Sequence, residues 1–438
     1  MKNKICIISS PVQSSPVQSV DSIHNFLITG ANFGNKGAQS MLFVVTDELS
    51  RRFPASTIHL VSTENYHQQD YTFRKCPASS RVFRVAAGGL DGAKAFCGGL
   101  VRDAVKLVIG RKNFMLSGYR ELVKLLPRIT ALIDISGFAL SSKWGNNVPK
   151  GYLAPIKAAR AHNIPVYLMP QSFGPFDYTP DVMQKVKLAI QDVLAWPRII
   201  FAREREGYDY MTQLFGLQNV QLSADLVLQN KGINPANIFT SPRKLSVPKI
   251  SSGRELAGIV PNMRCFDHGN KTKILDAYRR IIDLITSQGF RVVLFRHSRE
   301  DIEPCRLIKS FYPDNDNIML IENDFDCVEY NEFVKQFKFL VCSRYHGLVH
   351  AYKNNVPCVA LGWAVKYRSL AGVLGQSGYV FDITAENPDI TGILEAISRL
   401  INSYDSECRT IREKLTEIQA RNCFDILEAD LRDTGVVK

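Results

Sequence analysis

Between Phe333 and Phe381, a run of 49 residues, the chain has no aspartate or glutamate. Nothing inside that run can neutralise its six basic residues, Lys335, Lys338, Arg344, Lys353, Lys366 and Arg368. Other absences narrow the field further. The ten cysteines are scattered with no Cys-x-x-Cys pair, which argues against a metal knuckle or a disulfide framework and fits a reducing compartment. The eight histidines hold no His-Glu-x-x-His, so no metal is expected. No Gly-x-x-x-x-Gly-Lys-Ser/Thr loop, no Gly-x-Gly-x-x-Gly after a strand and no nucleophile elbow occurs, which sets aside the chemistries those turns serve. No apolar run approaches the roughly 20 residues that span a bilayer. The start, MKNKICIISS, turns polar too soon for a secretory signal. The expectation is a cytoplasmic protein, with peripheral contact at the inner membrane face left open.

What is present is a long, basic, ordinary globular composition: 438 residues, 45% hydrophobic, formal net charge +12. That length predicts two or three domains. The positive field draws phosphates or an anionic membrane face. Nucleic acid is not expected as a partner, because the basic residues are spread out and no groove- or strand-reading motif stands out. Residues 1–24 read as a flexible tail that carries SSPVQ twice in tandem. From 25 to 229 apolar runs alternate with helical segments. The predicted strands are NFLITGA, TIHLVST, RVFRV (81–85), ALIDIS, VYLMPQS, RIIFARE and VQLSAD, and the basic stretch from Gly88 to Arg128 reads as broken helix. Residues 230–254, rich in Pro, Ser, Asn and Lys without apolar periodicity, read as a linker. A second alternating series fills 255–400, and 401–438 reads as a helical tail. Strand–helix alternation in both halves predicts an α/β fold of two Rossmann-like parallel-sheet domains facing a cleft.

In open parallel sheets, ligands bind outside the carboxyl ends of the strands. Each apolar run here ends in a polar group just before a Gly, Pro or helix, so those groups are the candidates. Gln171 ends VYLMPQS, and Arg203 ends RIIFARE. Arginine is a poor helix cap, so Arg203 is expected to meet an anion; for Ser136 and Asp225, capping is the preferred reading. Asn32 stands in NFGNKGAQSM, where two readings stay open: a phosphate- or sugar-facing turn, or a tight turn that uses glycine for its φ angles. In the second half, SRYHGLVHAYK places Arg344 and His346 where a strand hands over to a helix, whose positive end favours an anion. Arg supplies a fixed fork of donors for carboxylate or phosphate, and His moves protons near neutral pH. Arg296 and His297, ending RVVLFRH, and Lys366, after PCVALG, join the same rim. His350, one turn beyond His346, is expected to face the core.

The stretch SRYHGLVHAYKNNVPCVALGWAVKYRSLAGVLG resembles the signature of the polysaccharide pyruvyl transferase family. NFGNKGAQSM, DISGFALSSKWG, PQSFGPF, FAREREGYDYM, SADLVL and LFRHSRED resemble further family segments in the same order, from about Asn25 to Leu374. The resemblance implies a GT-B-like fold. It also implies transfer of a pyruvate ketal from phosphoenolpyruvate, a co-substrate and not a cofactor, to two hydroxyls of a saccharide or its lipid-linked precursor. Arg344, His346 and Arg203 are implied around phosphoenolpyruvate, with Arg344 and His346 as the catalytic pair. The chain departs from the family in having Ile135-Ser136-Gly137 where a Gly-Gly-Gly run is common, and Gly207 where Ser is usual; both bear on the acceptor side. A nucleotide-sugar glycosyltransferase or a non-catalytic saccharide- or anion-binding relative on the same architecture are the alternative readings.

Overall fold

The structure, a computed structural model, describes residues 24–88, 93–95, 97, 114–362 and 365–437. The tandem SSPVQ and most of the basic stretch after Gly88 lie outside the described residues. The first sheet holds β1 (His24–Thr29), β2 (Ser56–Val61), β3 (Arg74–Cys76), β4 (Ala131–Asp134), β5 (Val166–Gln171), β6 (Ile199–Ala202) and β7 (Val220–Leu222), in the order β3-β2-β1-β4-β5-β6-β7. The second holds β8 (Leu256–Val260), β9 (Arg291–Phe295), β10 (Ile318–Ile321), β11 (Phe339–Cys342), β12 (Cys358–Leu361) and β13 (Val380–Phe381), in the order β10-β9-β8-β11-β12-β13. Every pairing is parallel. Central strands such as Phe339–Cys342 and Cys358–Leu361 are buried at every position, as expected for parallel strands covered by helices on both faces. The winding direction switches between β1 and β4 and between β8 and β11, and each switch opens a crevice at the strand ends.

One predicted strand is a helix. Residues of RVFRV fall in Ser80–Ala86, where the Ser79 side chain accepts from the Val82 amide at 3.4 Å and Val82 and Phe83 are buried. A five-residue apolar run fits either period, and here the cap and the helices packed beside it decide. The strand that pairs with β2 is instead Arg74–Cys76.

The helix Lys36–Arg52 lies between the two sheets, buried from Lys36 to Leu49. It packs against Cys327–Val334 and Tyr345–Lys353 of the second half. One apolar core therefore runs from Phe26 and Met41 through Tyr330 and Leu348 to Phe424 and Leu427. Residues 230–254 are tied at both ends. Asn230 Nδ2 donates to Glu48 (2.8 Å) and Asn237 Nδ2 to Asp47 (2.8 Å), while the Ser246 amide donates to Glu329 (3.1 Å) and the Ile250 amide to Gln336 (3.0 Å). The last helix, Cys423–Asp433, returns to the first half: Asp430 accepts from Tyr167 (2.5 Å) and Arg198 (2.8 Å), and Arg52 binds Asp425 and Glu428. Among the described residues, no helix is long and apolar enough to cross a membrane.

Candidate functional site

The carboxyl ends of β1, β4, β5 and β6 carry a row of bonded polar groups. Asp134, fully buried, accepts from Thr29 Oγ1 (2.7 Å), the Ser136 amide (3.1 Å) and hydroxyl (3.0 Å), and Gln171 Nε2 (3.3 Å). Burial pushes its carboxyl up despite these donors. Gln171 is held in turn by the Tyr152 hydroxyl at 2.9 Å. Next in the row, Arg203 donates to Asp225 (2.8 Å), Glu204 (3.1 Å) and Ser172 (2.6 Å). Asp225 is also the cap of the short helix Leu226–Gln229, through the Val227 amide at 2.9 Å.

The second half meets this row through the start of the helix Tyr345–Lys353. The Arg203 guanidinium lies 4.5 Å from the Tyr345 ring centroid, a cation–π contact across the two domains. His346 follows, its Nε2 3.9 Å from Asp225 Oδ2 and without a hydrogen-bond partner. Burial, then the charges of Arg203 and Lys366, hold the His346 imidazole well below its usual range, so it is neutral near pH 7. Lys366 hangs over three rings, 5.0 Å from Phe138, 5.5 Å from Tyr345 and 6.0 Å from Tyr367. It has no salt bridge among the described residues, and burial beside Arg203 brings its pKa to about 8. Arg344, the helix cap, gives the first turn no side-chain hydrogen bond.

Several groups sit otherwise than their positions in the sequence suggested. Arg203 does meet anions at the end of its strand, but they are the protein's own Asp225 and Glu204. Arg344 turns toward Asp301 (2.8 and 2.5 Å) and Glu300 (2.8 Å), so its fork is occupied. Lys366, at the meeting point, has no carboxylate within salt-bridge distance among the described residues. Arg296 bonds the Asn323 carbonyl (3.2 Å) and lies 3.9 Å from Asp324. His297 is buried, with neither ring nitrogen bonded, 5.0 Å from the Tyr330 ring and 6.4 Å from that of His350. Asn32 is exposed and closes its own turn, accepting from the Asn35 amide at 2.9 Å. The structure thus gathers Arg203, His346 and Lys366 around Tyr345, with Gln171 one strand away from Arg203. Asn32, Arg296 and the Arg344 fork lie apart from that cluster in their bonding.

Some members of the surroundings went unnoticed in the sequence. Lys36 is buried and paired to Asp324 at 2.9 Å. Gly37 lies so close to His346 that an added Cβ would overlap the ring at Nδ1. His350 is core, as expected, but its Nε2 reaches Ser40 of the first domain at 2.8 Å. Its Nδ1 lies 3.3 Å from Asn331 Oδ1. The one available signal was the NFGNKGAQS turn: a glycine beside a lysine at a helix start invites close approach, but nothing in it names the partner.

With this geometry in place, likeness to known proteins separates fold from chemistry. The model of the family described as polysaccharide pyruvyl transferase matches residues 35–364. The chain belongs to the polysaccharide pyruvyl transferase family. No curated protein sequence matches it. Among solved structures it is similar to a UDP-GlcNAc 2-epimerase from Neisseria meningitidis bound to UDP-GlcNAc, at 12% identity and TM-score 0.51, covering 93% of this chain and 99% of that one. It is similar to the spinosyn rhamnosyltransferase SpnG at 11% identity and TM-score 0.51, covering 94% and 100%. Trehalose-6-phosphate synthase OtsA stands at 9% identity and TM-score 0.52, covering 93% and 99%. At such identities the likeness shows the fold alone: two parallel-sheet α/β domains of the GT-B type. The family membership makes the chain a member of a transferase family and puts its Arg-Tyr-His segment, residues 344–346, inside the matched region.

Proposed function

We propose that this member of the family moves the three-carbon unit of phosphoenolpyruvate onto two hydroxyls of one sugar. The acceptor is a cell-surface polysaccharide or its lipid-linked precursor, and the products are a pyruvate ketal and inorganic phosphate. The carrying observation is the convergence of Arg203 from one domain with His346 and Lys366 from the other around a single ring, Tyr345. Phosphoenolpyruvate has a carboxylate and a phosphate to be met. Lys366, which has no salt bridge among the described residues, and the start of the Tyr345–Lys353 helix suit those charges.

In this reading the methylene carbon takes a proton and becomes a methyl group. C2, then oxocarbenium-like, forms two C–O bonds to the sugar and loses its bond to the phosphate oxygen. Of the two hydroxyl protons released, one balances the methyl group and one leaves with phosphate. A neutral His346 with an unbonded Nε2 suits the role of base that receives a hydroxyl proton. Lys366 and Arg203 offset negative charge on the departing phosphate. Phosphoenolpyruvate belongs to the cytoplasm, and a lipid-linked acceptor would bring the enzyme to the inner membrane face.

The test is phosphate release from phosphoenolpyruvate plus candidate oligosaccharides, with mass spectrometry of the product. His346→Ala is expected to fold normally and to lose activity by about 10²–10⁴-fold. Wild-type turnover in that variant removes His346 from the chemistry. Tight binding of nucleotide sugars with none of phosphoenolpyruvate replaces the reading with a glycosyltransferase.

A further inference from the structure

The loop after β4 holds an exposed tryptophan with no structural need to be there. Trp144 is 66% exposed, the most exposed of the large hydrophobic side chains among the described residues. Its position is nevertheless set. Trp144 Nε1 donates to the Phe138 carbonyl at 2.8 Å, and the two rings meet edge to face at 5.7 Å and 63°. The loop under them is pinned to the segment after β5. Ser142 Oγ donates to the Pro175 carbonyl (2.9 Å), the Gly174 amide donates to the Leu140 carbonyl (3.0 Å), and Leu140 bridges Phe173. Lys143, Asn146 and Asn147, close to Trp144 in sequence, are polar and exposed.

Location supplies the second, independent observation. β4 is a switch-point strand, so its loop overlooks the crevice where open sheets take ligands. Phe138 also lies directly under Lys366 Nζ, at 5.0 Å. The aromatic pair and the Tyr345 cluster are therefore neighbours through one lysine. Leu188 and Leu222 are also well exposed, but neither carries this contact to the cluster. An aromatic face has negative charge at its centre, which suits the slightly positive C–H face of a pyranose, and the Lys366 ammonium over Phe138 offers a donor for a hydroxyl.

We propose that Phe138 and Trp144 form a platform for a pyranose ring of the acceptor saccharide, seated beside Lys366. That the sugar is an acceptor rests on the ketal-transfer reading; that a sugar binds there does not.

Titration calorimetry of the full chain with methyl glycosides of glucose, galactose, mannose and N-acetylglucosamine, without phosphoenolpyruvate, tests it directly. At least one is expected to bind saturably, about tenfold more weakly to Trp144→Ala, with Trp144→Phe near wild type. Phosphoenolpyruvate affinity is expected to be the same in all three proteins. Failure of every glycoside to bind the wild type, or equal binding by Trp144→Ala, overturns the platform. Trp144-dependent sugar binding with no ketal ever formed upholds the platform and removes the ketal reading. Ketal formation with an unchanged acceptor KM in Trp144→Ala does the reverse.

Discussion

Lys366 shows how a single charge is tuned by what surrounds it. Burial, then the neighbouring charge of Arg203, leaves it cationic below about pH 8 and increasingly neutral above. If it meets the phosphate or carboxylate of phosphoenolpyruvate, KM for that substrate is expected to rise as pH passes through about 8, because the attracting charge disappears. Lys366→Arg, which stays charged throughout, is expected to flatten that rise. An unchanged KM between pH values below and above this point in the wild type refutes the assignment. Arg203 is the contrasting case. Its guanidinium is buried between Asp225 and Glu204 and its pKa is raised despite burial, by Tyr345 and both carboxylates. It remains charged at any working pH.

At the scale of elements, the site is assembled where two helix starts face each other. Lys36–Arg52 begins at the turn after β1, capped by Asn35, whose side chain accepts from the Gly37 amide at 2.8 Å. Tyr345–Lys353 begins after β11, and its His346 fills the space that a side chain at Gly37 would take. Gly37→Ala is therefore expected to force the two helices apart or His346 out of place. The cost is about 1–3 kcal/mol of stability, and turnover falls further than stability does. A melting curve and a rate measured on the same preparation check this; a Gly37→Ala protein with normal rate and normal Tm shows that the contact is slack.

At the scale of the whole molecule, burial lowers the pKa of His59 to about 4, and elsewhere three more of the eight histidines, His297, His346 and His350, are held neutral by burial in one shared interior. Lys36, Lys353, Arg203, Arg344 and Lys366 face them and add to the same effect. In the unfolded chain each histidine binds a proton near pH 6.5. Below that point the unfolded state holds more protons than the folded one. Stability is then lost as pH falls, by about 1.4 kcal/mol per pH unit for each histidine. Asp134, whose pKa is raised, opposes this with one proton. The urea midpoint is expected to drop steeply below about pH 6.5 and less steeply in His297→Leu; identical slopes in the two proteins exclude the buried histidines as the cause.

The two parallel-sheet halves, the strand end before Arg203 and the strand-to-helix passages that hold His346 and Lys366 were legible in the sequence. Hydrophobic runs between turn signals report on burial along one chain segment at a time. The run RVFRV shows the limit, since its five residues fit two periods and a cap two residues away settled it. Which groups face which was decided only by the tertiary structure. Asp301 claims Arg344 from 43 residues away. Asp225 reaches from a helix cap to both Arg203 and His346. Gly37 leaves room for a ring that lies more than three hundred residues later in the chain. The reason is physical: a charge's partner depends on distance through space, and only the packing of Lys36–Arg52 between the two sheets sets those distances.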